Sequence, residues 1–369
     1  MIANQRSTYA SSGVDMEKED EAMKLIAPLL KETSSYRRTE LGKCVTDIGH
    51  FAGIVKLNNR LGLAMKTDGV GTKVFIAQLM QKYDTVGIDC VAMNVNDVIC
   101  TGAEPISFVD YIAIQKPEPR MIEQIFWGLK EGAKIAKISI AGGETAQLRE
   151  MIKGASEGRG FDLVGMCIGI VELDKIIDGH SLKEGDVLLG LSSSGLHSNG
   201  YTITRQILLE KMHFDLNEHF EELGRTLGEE LLEPTFIYVP EIMEIIKKNL
   251  EIKLLAHITS RGFINLNRVG KGYGYIIDNL PKPPPPIFQL IQRCGNVTDE
   301  EMYHTFNMGI GMCMVVQKNL VDDVAQIVEK HKKKVFILGR VKEDVERKII
   351  IKPLKMFGNS KKNIFRKYA

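Results

Sequence analysis

A mixed α/β fold is what this 369-residue sequence predicts, and three observations carry the prediction. Apolar residues alternate at Leu61, Leu63 and Met65, as in a half-buried strand, and the run enters a glycine-rich turn before a helix-like segment, Val74–Met80. Ile88, Val91, Ala92, Val95, Val98 and Ile99 recur at helical spacing and mark a buried stripe. Beyond Val171-Glu172 the alternation of strand and helix signals starts afresh at Asp186–Leu191, so the chain divides there. Periodicity by itself gives only a mixture of α and β.

Taken in order, the first element is a helix after Asp15, a plausible N-cap, with a stripe of Ala22, Leu25, Ile26, Leu29 and Leu30. The strand and helix at 61–80 follow, then a helix over the 88–99 stripe, with Asp84 expected as its cap and Gly102 as its stop. Ser139-Ile-Ala is expected to be a short strand meeting a Gly142-Gly143 turn, and Phe161–Val171 reads as a strand. In the second half helices are expected near 201–211 and 239–249. Strands are expected at 273–278, 309–316, 335–338 and 346–352. Pro281–Pro286 reads as a rigid loop. The end carries Lys355, Lys361, Lys362, Arg366 and Lys367 without an acid, the pattern of a mobile, solvated tail.

Composition narrows the function classes. Lys plus Arg (48) nearly equal Asp plus Glu (47), so bulk charge favours neither nucleic acid nor a membrane surface. No segment approaches transmembrane length, and no signal-peptide core is expected at the start. The six cysteines are scattered without a Cys-x-x-Cys pair, which points to reduced thiols in a cytoplasmic protein.

The residues that carry chemistry sit at the ends of these elements. In Asp68-Gly69-Val70-Gly71-Thr72-Lys73 the glycines let backbone N–H groups come near a polyphosphate, Asp68 can hold magnesium, and Lys73 can neutralise phosphate charge. The competing reading is a plain Asp-Gly turn. Asn94 and Asp97 share a helix face, with Asp89 on a neighbouring one, and that face lacks the Lys and Glu mixture of a solvated surface. Glu144 follows Gly142 and Gly143, so Asp68, Asp97 and Glu144 form a candidate set of hard oxygen ligands for magnesium. A fourth turn, Ser193, Ser194, Gly195, His197, Ser198, Asn199 and Gly200, leads into a helix-like segment and suits an anion.

Thr67–Lys73, Gly87-Ile-Asp89 with Asn96-Asp97-Val98 and Gly102–Pro105, Gly142–Ala146, and Ser193–Tyr201 together resemble the aminoimidazole ribonucleotide synthetases, also called phosphoribosylformylglycinamidine cyclo-ligases. Ser12–Asp15, Ala256–Thr259, Gly295–Val297 and Glu301–Met312 extend the resemblance over nearly the whole chain. It implies an N-terminal domain, 1–171, whose mixed sheet builds a shared barrel in a homodimer, a C-terminal α/β domain, 172–352, and the basic tail, 353–369. It also implies ATP with magnesium, and potassium as a further cation, in purine biosynthesis. ATP would activate the amide oxygen of formylglycinamidine ribonucleotide, and an amidine nitrogen would close the imidazole ring, leaving ADP and phosphate. Lys73, His197 and His257 are then the candidate catalytic groups, His197 ahead of His257 for proton transfer. The sequence departs from the family where His257-Ile-Thr259 continues as Ser260-Arg261 in place of two glycines, and at Gln147-Leu148-Arg149. Two other readings compete: a selenophosphate synthetase- or thiamine-phosphate kinase-like relative, and a catalytically weakened scaffolding homologue.

Overall fold

The computed structural model describes residues 8, 12–13, 15–37, 41–359 and 364–368; Val14 of the N-terminal motif and Lys361 and Lys362 of the tail lie outside them. Helix α1 (Met16–Thr33) starts where expected, with the Asp15 carboxylate accepting the Lys18 N–H at 3.0 Å. Its apolar stripe finds no cover, however: Leu25 is 75% and Leu29 64% exposed. The first sheet follows, built from β1 (Gly53–Lys56), β2 (Leu61–Gly69), β3 (Glu104–Ile114), β4 (Ser139–Gln147) and β5 (Phe161–Glu172) in the order β1-β2-β5-β3-β4. Only β3 and β4 run parallel, joined by helix α4 (Pro119–Ala136). Helix α2 (Val74–Met80) has the bounds read from the sequence, and α3 (Val86–Ile99) lies against β2 and β5.

Two local expectations fail here. Asp84 does not cap α3; the cap position is Thr85, with no side-chain bond. Gly142-Gly143 makes no turn either, since β4 runs straight through it with a bulge opposite Phe108/Val109. A Cβ at 143 would stand 2.4 Å from Asp110 Oδ1, so the glycine leaves room for that carboxylate where it stands.

The second sheet is larger and contains β6 (Val187–Ser192), β9 (Leu254–His257), β10 (Tyr273–Ile277), β11 (Ile310–Val316), β12 (Val335–Glu343), β13 (Ile349–Ile351), β14 (Met356–Gly358) and β15 (Phe365–Lys367). Its order is β15-β14-β13-β10-β12-β6-β11-β9. Every residue of β11 is buried, which is why that segment reads as an unbroken apolar run. Helices α5 (Tyr201–Arg205, continuing as a π-helical stretch), α6 (Leu227–Leu231), α7 (Val239–Lys247), α8 (Pro286–Gly295), α9 (Asp299–Thr305) and α10 (Val321–Lys330), with a hairpin of β7 (His219–Phe220) and β8 (Arg225–Thr226), complete the unit. The basic end is not the solvated tail expected from its charge. Met356 and Phe365 are buried, and β14 and β15 extend the sheet beyond β13. Burying that phenylalanine and methionine outweighs the solvation preference of the neighbouring cations, whose heads stay outside.

Candidate functional site

The site grows from the strand register of the first sheet. Asp68 on β2 pairs with Gly165 on β5, which pairs with Asp110 on β3, which pairs with Gly143 on β4. Paired residues share a sheet face, so both carboxylates point to the side that α3 covers. Glu144 is opposite Tyr111 and therefore points to the other face, where it is exposed and accepts the Thr145 N–H. The structure thus brings Asp68 and Asp97 together but leaves Glu144 apart, and among the described residues no three metal-ligating groups are gathered in one cluster. Asp110, which sequence reasoning missed, is 5% exposed, and neither of its oxygens has a hydrogen-bond partner. Burial pushes its carboxyl above the ordinary range. The available signal was an acid inside an otherwise apolar strand.

Lys66, also missed, lies two residues before Asp68 on the same strand face and reaches both acids, 3.3 Å from Asp68 and 2.8 Å from Asp97. His257, at the end of β9, completes the group with Nδ1 at 2.9 Å from Asp97 Oδ1. The carboxylate can only accept, so the Nδ1–H donates to it, and Nε2 is buried without a partner. Burial alone would raise the Asp97 pKa, but the His257 hydrogen bond and the Lys66 charge outweigh it and hold it at about 2. At Asp68 burial wins over Lys66, and the carboxyl is raised.

Lys73 occupies a different place from a phosphate contact. It is fully buried, donates to Asp89 Oδ1 at 3.0 Å, and is 2.8 Å from Oδ2. Its other bonds go to the carbonyls of His197 (3.3 Å) and Glu233 (2.6 Å) in the second unit. Asp89 also accepts from Ser198 Oγ and from the N–H and hydroxyl of Thr235. The pair therefore joins the two units beside the 193–200 loop. Nearby, Thr72 Oγ1 meets Thr202 Oγ1 at 3.0 Å, Val70 is buried, and Gly71 takes φ 72°. The Gly69 N–H donates to Asp68 Oδ1 at 2.9 Å.

The hydroxyls of the 193–200 loop are already engaged by protein: Ser193 with Asn307, Ser194 with the Pro234 carbonyl, and Ser198 with Asp89. Asn307 also donates to the carbonyls of Gly195 and Leu196, and the Asn199 Nδ2 is buried without a partner. Gly200 stands in the left-handed region at φ 77°, against the Phe306 ring. At Gly142 nothing lies within 4 Å of the missing Cβ. His197 is 1% exposed, its Nε2 accepts the Ser194 N–H at 3.2 Å, and its ring leans on Phe236 and Tyr238. Burial, with the fields of His257 and Lys73, holds its pKa well below the ordinary value, so the ring is neutral. It staples the loop from inside, and His257 is the imidazole that touches Asp97.

Arg261, in place of an expected glycine, adopts φ 73°, and its guanidinium is 2.8 Å from Asp20 and 3.8 Å from Glu19 of α1. The bulk added there is thus turned outward onto the N-terminal helix.

The family model described as AIR synthase related protein, N-terminal domain, matches residues 49–171, and its C-terminal companion matches 183–352. The phosphoribosylformylglycinamidine cyclo-ligase of Methanobrevibacter smithii is 45% identical over 337 residues, 91% of this chain and 95% of its own. That of Methanocaldococcus jannaschii is 46% identical over 341 residues, 92% of this chain and 93% of its own. Among solved structures, AaThiL complexed with AMPPCP and TMP has a TM-score of 0.59 at 17% identity, covering 88% of this chain and 92% of its own, a likeness of fold.

Proposed function

Because the chain belongs to the AIR synthase related family through both of its halves, we propose that it is a phosphoribosylformylglycinamidine cyclo-ligase, closing the imidazole ring of formylglycinamidine ribonucleotide with ATP. The observation that carries this reading is the identity of about 45% to cyclo-ligases along nine-tenths of the chain. The motif residues Asp68, Asp97, His197 and His257 all face or brace one region where the two units meet.

The carboxylates fit magnesium brought in with a nucleotide rather than a closed protein cage. Asp110 offers two oxygens without partners, and Asp68 shares its sheet row; magnesium keeps few protein ligands and several phosphate or water oxygens. Magnesium would offset charge on the transferring phosphoryl group. Asp97, already holding Lys66 and His257, orients the imidazole so that Nε2 can take the amidine proton as the ring closes. Lys73 sets the position of the 193–200 loop across the junction.

The open face of the first sheet supports a homodimer. Val109, Tyr111 and Met166 on that face are each more than a third exposed, beside the half-buried Leu63 and Met65. A monomer by light scattering at micromolar concentration would refute this. No helix among the described residues is long and apolar enough to cross a membrane, and the buried unpaired thiols suit the cytoplasm. The function is tested by ADP release from purified protein. Release should need both magnesium and formylglycinamidine ribonucleotide, and equal turnover with thiamine phosphate or selenide would overturn the assignment.

A further inference from the structure

One cleft that carries two arginines and a lysine has no role so far. It measures about 670 Å³ and opens between the 45–50 loop, the 173–180 connection and the 268–273 turn, with Arg268, Lys271 and Arg347 on its wall. Its volume suits a small-molecule site. Resting on the cyclo-ligase reading, we propose that this cleft seats the 5′-phosphate of the ribonucleotide substrate, with the Arg268 guanidinium as its anchor.

Arg268 is exposed, yet it is fixed from two sides. Its guanidinium lies over the Phe51 ring at 4.8 Å, and its Nε donates to Asn265 Oδ1 at 2.9 Å. Asn265 is buried and donates to the carbonyls of Ser260 and Gly262, so the same amide ties Arg268 to the loop after His257. Among the described residues Arg268 makes no ion pair, whereas the other two cations of the wall, Lys271 and Arg347, are engaged by protein oxygens. Lys271 is 3.6 Å from Asp47, Asp178 holds His180 at 2.6 Å, and Arg347 donates to the Asn267 and Val269 carbonyls. Asp174 is the remaining acid of the lining. His50 cannot act as a further cation. Its Nε2 faces the Ile177 carbonyl, its Nδ1 accepts the Phe51 N–H, and burial lowers its pKa. The cleft therefore presents one pre-aimed planar fork, the geometry that matches a phosphate bidentately.

The position relative to the reacting end is also right. Through Asn265 the Arg268 side chain is tied to the 260–262 loop that directly follows His257-Ile258-Thr259, and its charge is near enough to act on Asp97 and Lys66. An anchored phosphate at the Arg268 end leaves the amidine end of the nucleotide free to approach His257.

The test compares wild type with Arg268→Met and Arg268→Lys, using formylglycinamidine ribonucleotide and its dephosphorylated ribonucleoside. Loss of a charge-assisted contact to phosphate should raise KM for the nucleotide roughly 10- to 100-fold with kcat within a few-fold. Arg268→Met should lose most of the wild-type preference for nucleotide over nucleoside, and Arg268→Lys should recover part of it. An unchanged preference in Arg268→Met, with ring closure intact, overturns the phosphate seat and leaves the cyclo-ligase reading standing. Ribose 5-phosphate, titrated by calorimetry without turnover, reads the seat independently. Binding by wild type that Arg268→Met abolishes supports it even where ring closure is not found, in which case the function alone falls. No binding by wild type at millimolar concentration overturns the seat.

Discussion

Replacing Asp97 by Asn removes one charge and almost no volume, and it separates the role of the Lys66–Asp97–His257 group in folding from its role in chemistry. The Asp97 carboxyl is held at about 2 against an ordinary 3.8, a depression that corresponds to roughly 2 kcal/mol of stability. Because the folded value lies below the unfolded one, this contribution is complete above pH 5 and is lost as pH falls toward 2. Asp97→Asn should thus unfold at lower urea concentration at pH 7 by about 2 kcal/mol, or about 3 °C in Tm for a chain of this size. Close to half of that difference should be gone at pH 3. Turnover should fall by orders of magnitude, since His257 loses the anion that fixes its tautomer and stabilises its protonated form. Stability equal to wild type at pH 7, or a deficit that does not narrow on acidification, would refute the ion-pair argument. Activity within a few-fold of wild type would refute the catalytic one.

Gly143→Ala places a methyl 2.4 Å from Asp110 Oδ1 and should cost about 1–3 kcal/mol with at least a tenfold loss of turnover; activity within twofold by ADP release would show that the Asp110 carboxylate is not needed where it stands. Phe365→Ala should lose about 3–5 kcal/mol in urea unfolding, since Phe365 is 4% exposed, while KM for ATP stays within a few-fold. An unchanged midpoint would mean that β15 does not hold in solution. Arg261→Gly relieves a left-handed backbone worth about 1 kcal/mol and breaks half-buried to exposed pairs to α1 of similar worth. Its urea midpoint should therefore stay near wild type, and a loss beyond about 2 kcal/mol would show that Arg261 holds more than α1.

What the sequence disclosed follows how local each signal is. Helix α2 and the first turn of α1 were readable because the apolar stripe and the cap lie within a few residues. Asp68, Asp97 and His257 were found through motifs of the same kind, and they do meet. Glu144 failed to join them because its face is decided by the pairing of β4 with β3, and one residue of register turns a side chain to the opposite side. Lys73 carried the composition of a phosphate ligand, yet its partner Asp89 and the carbonyls around it come from 16 to 160 residues away. Asn307, Thr235 and Arg268 act through contacts of the same long range. The basic end was misjudged because charge was visible in the sequence, whereas the groove that accepts Phe365 and Met356 exists only once β13 is in place.

The Lys73–Asp89 pair has a bearing on how ligands can enter. Both side chains are wholly buried in contact with each other, and their remaining bonds are made to the second unit. Prising the halves apart would leave the pair together and open to water, but would break its bonds to the His197 and Glu233 carbonyls and to Ser198 and Thr235. The molecule is thus better compared to a single casting than to a pair of jaws. Nucleotide and substrate must fit walls that are already set, the 193–200 loop among them, rather than depend on a swing of one half upon the other.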